Sequence, residues 1–491
     1  MSDVTLIRGG TLVLAAGERR GDLLLQGERV VALGPDLADE HSLRVVDAHG
    51  CLVLPGLVDP HTHIQLDTGI YKTPDNWEIG TRTAACGGVT TVIDFATQFP
   101  GQDVAAALAA RLAEIGDLAH IDFGLHMMLT ELPGDEVLDG WMAWLVAAGL
   151  PSIKLYTTYR PNYYQDDAAL LRAFRAAAAH GLTVMLHCEN DALVSAATAD
   201  FVESGQTALA NHGRARPALA EIEAAHRALF LAGAAAREPY PAGAAGPLPS
   251  NTTVLPRSSG AGGIIGAATG DGLRLYVVHC SVCGTVDQVS ASRSDGGPAI
   301  AETTPQYLLL DESMYAGPHP EWAIMQPPLR APGEKAGLWA RLAAGQIQTV
   351  GTDHCDYTIA EKCRSPHFNE TPGGIPGLET MLPLLATYGI GQGRLTWPRL
   401  VEACSATPAR IFGLHNKGEL CVGADADVVI YDPKAPGTIQ ASHLHALAGY
   451  TPYEGWPVSG RVRDVFSRGR QLVREGEFIP APGWGRFQKG S

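Results

Sequence analysis

Six side chains in this sequence have the chemistry of a metal centre, and each stands inside or just after a short apolar run: His61, His63, Lys154, His187, His279 and Asp353. His61-Thr62-His63 follows the run Leu52-Val53-Leu54-Pro55-Gly56-Leu57-Val58. Residues two apart on an extended backbone point to the same side, so both imidazoles can face one point. Neutral imidazole is the commonest metal ligand. Imidazole and carboxylate without thiolate suit Zn, Mn, Fe or Ni. Six ligands are too many for one tetrahedral zinc with an open position, so two metals are expected. Two dications a few ångströms apart need an anionic bridge. A neutral lysine amine that adds carbon dioxide becomes a carbamate, a carboxylate on a long arm. Lys154 is the candidate for that bridge, with hydroxide as the second.

The elements that must position these groups are legible as a rhythm. Apolar strand-like runs fall at residues 52–58, 90–95, 121–129, 152–156, 182–187, 273–279, 299–303 and 347–352. Helical stretches lie between many of them, at 104–115, 168–180, 219–234 and 335–344. Eight strands alternating with helices predict an α/β fold, a (β/α)8 TIM barrel, whose active site lies at the carboxyl ends of the strands. Short β segments before residue 55 and again from 426 to 473 predict a small β-sandwich domain built from both termini. The expected division is 1–55 with 416–475 for the sandwich, 56–415 for the barrel and 476–491 for a C-terminal tail. A stretch rich in Pro, Gly, Ser and Ala at about 235–271 reads as a surface insertion before the sixth strand.

Composition narrows the partners. The net charge is -16, which argues against nucleic acid and against an anionic membrane. No apolar run is long enough to span a bilayer, and Met1-Ser2-Asp3-Val4 does not begin a signal peptide, so a cytoplasmic protein is expected. Nine scattered cysteines fit reduced thiols, and Cys280-Ser281-Val282-Cys283, a lone pair, reads as structural.

Longer motifs carry a resemblance. They include Gly87-Gly88-Val89-Thr90-Thr91, His187-Cys188-Glu189-Asn190, Glu302-Thr303-Thr304-Pro305-Gln306 and Pro327-Pro328-Leu329-Arg330. Gly351-Thr352-Asp353-His354-Cys355, Gly423-Ala424-Asp425-Ala426-Asp427 and Tyr450-Thr451-Pro452-Tyr453-Glu454-Gly455 complete them. With these motifs the chain resembles the dihydropyrimidinase/D-hydantoinase branch of the cyclic amidohydrolases over nearly its whole length. The resemblance implies that His61, His63, Lys154, His187, His279 and Asp353 hold two divalent metal ions, zinc first and Mn, Fe or Ni as alternatives. Lys154 would be N6-carboxylysine. Tyr159 would hydrogen-bond the substrate carbonyl. The backbone at Gln326 and Gly373 would bind the ring's polar edge, although the family usually has Ser and Asn at these two positions. Asp356 stands where the family often has proline. A homotetramer or homodimer is implied, with the tail from about 450 reaching a neighbour.

The reaction so implied is hydrolysis of a ring amide in a small-molecule cyclic amide, a dihydropyrimidine or 5-substituted hydantoin, giving an N-carbamoyl amino acid. Asp353 would shuttle the proton and Tyr159 would stabilise the oxyanion. Three loops are expected to set specificity, at 64–74, 96–100 and 156–164. Gln65, where dihydroorotases usually carry Arg, counts against a carboxylated ring. The alternatives are another cyclic amidohydrolase, such as an allantoinase or cyclic imidase, and a non-catalytic scaffold of the dihydropyrimidinase-related type.

Overall fold

Ile153 and Leu155 are fully buried in the main apolar core outside the barrel strands, which turns Lys154, between them, to the inner side. The computed structural model describes residues 4–37, 44–237 and 273–490, and this period of two repeats in its other barrel strands. Val184 and Leu186 join the same outer core, whereas Met185 joins an inner cluster with Ile93, Phe95, Tyr276 and Phe412. The strands are β1 (Leu57–Asp59), β2 (Val89–Gln98), β3 (Asp122–Leu129), β4 (Ser152–Tyr156), β5 (Thr183–His187), β6 (Arg274–Val277), β7 (Ala299–Thr303) and β8 (Thr349–Val350). They form one sheet in sequential order, and every pairing is parallel. Helices such as Val104–Ile115 and Asp167–His180 connect them, each started by an aspartate whose side chain accepts a backbone N–H, Asp103 and Asp166 respectively.

The barrel closes at a seam between β1 and β8. Asp353 N–H donates to His61 O at 2.9 Å, and His63 N–H donates to His354 O at 2.8 Å. The Asp59 carboxylate accepts from Thr352 N–H at 3.1 Å and from Thr352 Oγ1 at 2.6 Å. Three of the candidate ligands therefore sit on the closure itself.

The run 52–58, expected as one strand, is two. Leu52–Pro55 belongs to a separate nine-stranded sheet, and Leu57–Asp59 starts the barrel. Gly56 between them packs so closely on Thr90 that a Cβ would overlap Thr90 Oγ1. Leu52–Pro55 pairs with strand Val4–Leu14 on one side and Val428–Thr438 on the other, which joins the two ends of the chain. Alternation gives this sheet two apolar faces. Val53, Val428, Ile430 and Phe466 form the small domain's own core, while Leu52, Leu54, Val429, Tyr431 and Val465 join the barrel's core.

A buried ion cluster ties the two bodies together. Lys417 Nζ lies 2.7 Å from Asp122, 2.9 Å from Asp425 and 2.7 Å from Asp427, and Arg468 Nε also bonds Asp122. The motif Gly423 to Asp427 thus supplies two of the carboxylates. Removing one partner from such a buried cluster costs about 3–5 kcal/mol, because it strands a charge.

Strand Glu477–Phe478 still pairs within the nine-stranded sheet. The segment after it packs on its own barrel. Phe123 N–H donates to Arg486 O, Gln488 N–H donates to Phe123 O, and Gly490 N–H donates to Gly149 O. From residue 238 onward, the insertion expected at 235–271 lies outside the described residues. No described helix is long and apolar enough to cross a membrane, and all nine cysteines are free thiols.

Candidate metal centre and active site

All nine residues singled out by sequence line one cavity of about 410 Å³ at the carboxyl ends of the strands: His61, His63, Lys154, Tyr159, His187, His279, Gln326, Asp353 and Gly373. Lys154 is inside β4, and His187 is the last residue of β5. His61, His63, His279 and Asp353 lie just beyond their strands. Tyr159, His279 and Asp353 have φ of 74°, 40° and 51°, so the backbone is bent into the left-handed region where these side chains turn to the cavity.

The nitrogen and oxygen atoms fall into two groups. In the first, His61 Nε2 and His63 Nε2 lie 3.4 and 3.2 Å from Asp353 Oδ1. In the second, His187 Nδ1 and His279 Nε2 are 3.1 Å apart. Carboxylates behind the rings decide which nitrogen faces the cavity. His61 Nδ1 donates to Glu302 Oε1 at 2.9 Å, and His187 Nε2 donates to Glu189 Oε2 at 2.8 Å. Burial pulls the pKa of both rings down, so they are neutral, the ligating form. His61 Nε2 then carries a lone pair, is buried without a hydrogen-bond partner, and faces a carboxylate oxygen. Two acceptors held face to face are unfavourable unless a cation lies between them. The donor set therefore fits divalent metal.

Glu302 also accepts from Tyr276 Oη at 2.7 Å and from His279 N–H at 2.9 Å. Glu189 is held by Arg216, with Nε donating at 3.0 Å. Such outer partners orient ligands and tune a metal. Sequence reasoning assigned no role to Glu302, Glu189 or Arg216. Glu189 had a signal, since it lies two residues after His187 and so on the same side of the chain.

Burial pushes the Lys154 pKa down to about 8, with Asp353 and Glu302 opposing. Its ammonium has no hydrogen bond or ion pair among the described residues, which suits an amine that reacts. Burial raises the pKa of the Tyr159 hydroxyl, so it stays a protonated donor. A Cβ on Gly373 would overlap the Gln326 side-chain amide. Residues 326 and 373 are therefore coupled: the long Gln326 side chain needs a side-chain-free neighbour.

Two of the three expected specificity loops line the cavity, through Leu66, Thr68 and Tyr71 and through Tyr156, Tyr159 and Tyr163. Residues 96–100 do not. Their place is taken by Cys355, Tyr357, Thr371, Pro372 and Gly374, which join Gly373 at the wall; of the segment 371–374 the sequence singled out Gly373 alone, because its neighbours come from far along the chain. Gln65 points away, its Nε2 donating to Glu114 at 2.9 Å, so it does not meet a ligand. Asp356 is buried beside Asp75 and His354, whose Nε2 lies 3.6 Å from both carboxylates.

A parallel barrel with this donor set at its carboxyl rim defines a metal-dependent hydrolase. The chain belongs to the amidohydrolase family, whose model matches residues 52–227 and 309–472, and a divalent metal centre follows from that membership. It is 35% identical to a D-hydantoinase of Streptomyces coelicolor over 99% of this chain and 98% of that protein. It is 36% identical to a D-phenylhydantoinase of Escherichia coli, covering 98% and 97%. The crystal structure of a dihydropyrimidinase from Brevibacillus agri superposes with a TM-score of 0.89 at 32% identity, covering 99% of both chains.

Proposed function

We propose that this enzyme is a cyclic amidohydrolase that opens a dihydropyrimidine or 5-substituted hydantoin ring at its –CO–NH– bond and releases an N-carbamoyl amino acid. The observation that carries the reading is the pair of donor groups, His61/His63/Asp353 and His187/His279, facing one cavity that also holds Lys154. The site residues we assign are His61, His63, Lys154, His187, His279 and Asp353 as ligands of two divalent ions, zinc first. Lys154, as its carbamate, would supply the additional anionic ligand. Bound there, the ions would supply Lewis acidity and lower the pKa of a water to near neutrality.

The chain's own groups do the rest. Asp353 accepts the proton of the attacking water and returns it to the leaving ring nitrogen. The Tyr159 hydroxyl donates to the carbonyl oxygen as it becomes an oxyanion. Backbone groups of Gln326 and Gly373 hold the ring's other polar atoms. Tyr71, Tyr156, Tyr163 and Met128 give the cavity an aromatic and apolar wall that suits a flat ring substituent.

The test is ring-opening absorbance with dihydrouracil, hydantoin, 5-phenylhydantoin, allantoin, dihydroorotate and succinimide. Turnover of dihydrouracil or the hydantoins is expected; turnover of allantoin or succinimide alone would overturn the assignment. We further propose a cytoplasmic homotetramer, supported by nine free thiols and by Phe230 and Leu219, which stand 74% and 61% exposed on helix Ala218–Arg237. Light scattering of the purified enzyme checks the assembly.

A further inference from the structure

Lys362 is fully buried, yet among the described residues no acid pairs with it. Its three ammonium protons go to three backbone carbonyls: Ile324 O at 2.8 Å, Pro372 O at 2.8 Å and Gly374 O at 2.9 Å. Full burial pulls its pKa down to about 7. The carbonyls act in the opposite sense, because only the charged form has three protons to give. A buried lysine is expensive, so its position asks for a reason.

The three acceptors bracket the two segments whose backbone faces the cavity. Ile324 precedes Gln326 by two residues, and Pro372 and Gly374 flank Gly373. Gly374 N–H also donates to Ile324 O at 3.0 Å, which ties the segments directly. Met325 O is held from behind as well, by His212 Nε2 at 2.8 Å.

Trans peptide geometry then decides what points forward. In a trans peptide the C=O and the next N–H are antiparallel. The 372–373 and 373–374 bonds are trans. Pro372 O points to Lys362, so Gly373 N–H points away from it. Gly374 N–H points to Ile324 O, so Gly373 O also points away. Gly373 lines the cavity, and among the described residues neither of its polar backbone groups has a protein partner. The same holds for the backbone N–H and C=O of Gln326. Two donors and two acceptors left unpaired at a cavity wall match the N–H and C=O groups along the edge of a ring such as –NH–CO–NH–.

We propose that Lys362 is the positioning residue of this edge-reading wall. From behind, it clamps the 324–326 and 372–374 segments, so that the backbone of Gln326 and Gly373 meets the ring with its hydrogen-bonding groups already aimed. Preorganised groups save the cost of ordering them on binding. The inference rests on the ring-amide reading above for the ligand, but not for the clamp.

Two measurements on Lys362→Met separate these levels. The first needs no substrate. Hydrogen exchange of the free protein is expected to show loss of protection at Gly374 N–H, with the barrel strands and the melting temperature little changed. Unchanged protection at Gly374 would overturn the clamp. The second compares dihydrouracil with glutarimide, which has CH2 in place of one ring N–H. KM for dihydrouracil is expected to rise about twofold to tenfold, the range for a neutral hydrogen bond lost from the ring's edge. The rise for glutarimide is expected to be smaller, with metal content unchanged. Equal loss for both rings, or a fall in kcat alone, would overturn the edge-reading role. Wild-type protein that opens neither ring would instead count against the ring-amide reading and leave the exchange result to decide the clamp. If Lys362→Met fails to fold, Lys362→Gln, which keeps two of the three donors, is expected to give a partial form of the same exchange pattern; wild-type protection would overturn the clamp.

Discussion

Glu302 Oε1 lies 2.9 Å from His61 Nδ1 and accepts the backbone N–H of His279 at the same distance. One carboxylate therefore aligns a donor from each of the two groups. Burial raises its pKa to about 7, while the hydrogen bonds from Tyr276 and His279 favour its ionised form. Glu302→Gln keeps the shape but removes the charge that holds His61 in the Nδ1–H tautomer. The expected outcome is about a 10- to 100-fold loss in metal affinity or activity. Metal titration of the stripped variant checks it; wild-type affinity would show that the carboxylate does not tune the centre.

Lys154→Ala is expected to lose bound metal and turnover together. Elemental analysis and activity should fall in step, and a short-chain carboxylic acid added at high concentration should restore part of both. A variant that kept its metals and full activity would remove the carbamate from the site.

The Lys154 amine has its pKa pulled down to about 8 by burial. Carbamate formation needs the neutral amine, and the neutral fraction rises as pH climbs through that value. At constant dissolved carbon dioxide, reactivation of metal-stripped enzyme should therefore be faster at about pH 9 than at about pH 6. A rate independent of pH would contradict this.

Tyr159→Phe removes one oxyanion donor and little volume. Loss of such a donor costs about 10²–10³ in kcat, so turnover should fall by that factor with KM changed much less. Steady-state kinetics with the best ring substrate decides it. An equal change in both parameters would mark Tyr159 as a packing residue.

Gln326 and Gly373 should behave as a pair. Gly373→Asn alone pushes against the Gln326 amide and should raise KM, whereas Gln326→Ser with Gly373→Asn should recover much of the loss. Contacting residues couple by about 0.5–3 kcal/mol, which a double-mutant cycle on kcat/KM can read. Additive effects would show that the two side chains do not share the space.

Much was legible because it is local. The period of two around Lys154 and in Val184–His187 marks inward and outward positions directly, and strands 152–156 and 299–303 fall where the apolar runs are. The helix at 104–115 likewise follows its own pattern and its Asp103 cap. The run 52–58 misled for an equally local reason. It is apolar throughout, and nothing in it marks the change of sheet at Gly56, because Thr90 and the strand Val428–Thr438 decide that from elsewhere.

By itself, the sequence determined the kinds of group available, their places at the ends of parallel strands, and so the class of chemistry. Only the tertiary structure decided how they divide. That His61 and His63 share Asp353, while His187 faces His279, follows from strand order and from the seam between β1 and β8. Only the structure brought Glu302 behind His61, and Lys362 behind the cavity wall at Gln326 and Gly373. These contacts join residues tens to hundreds of positions apart. Their distances depend on register and packing, which no local pattern encodes.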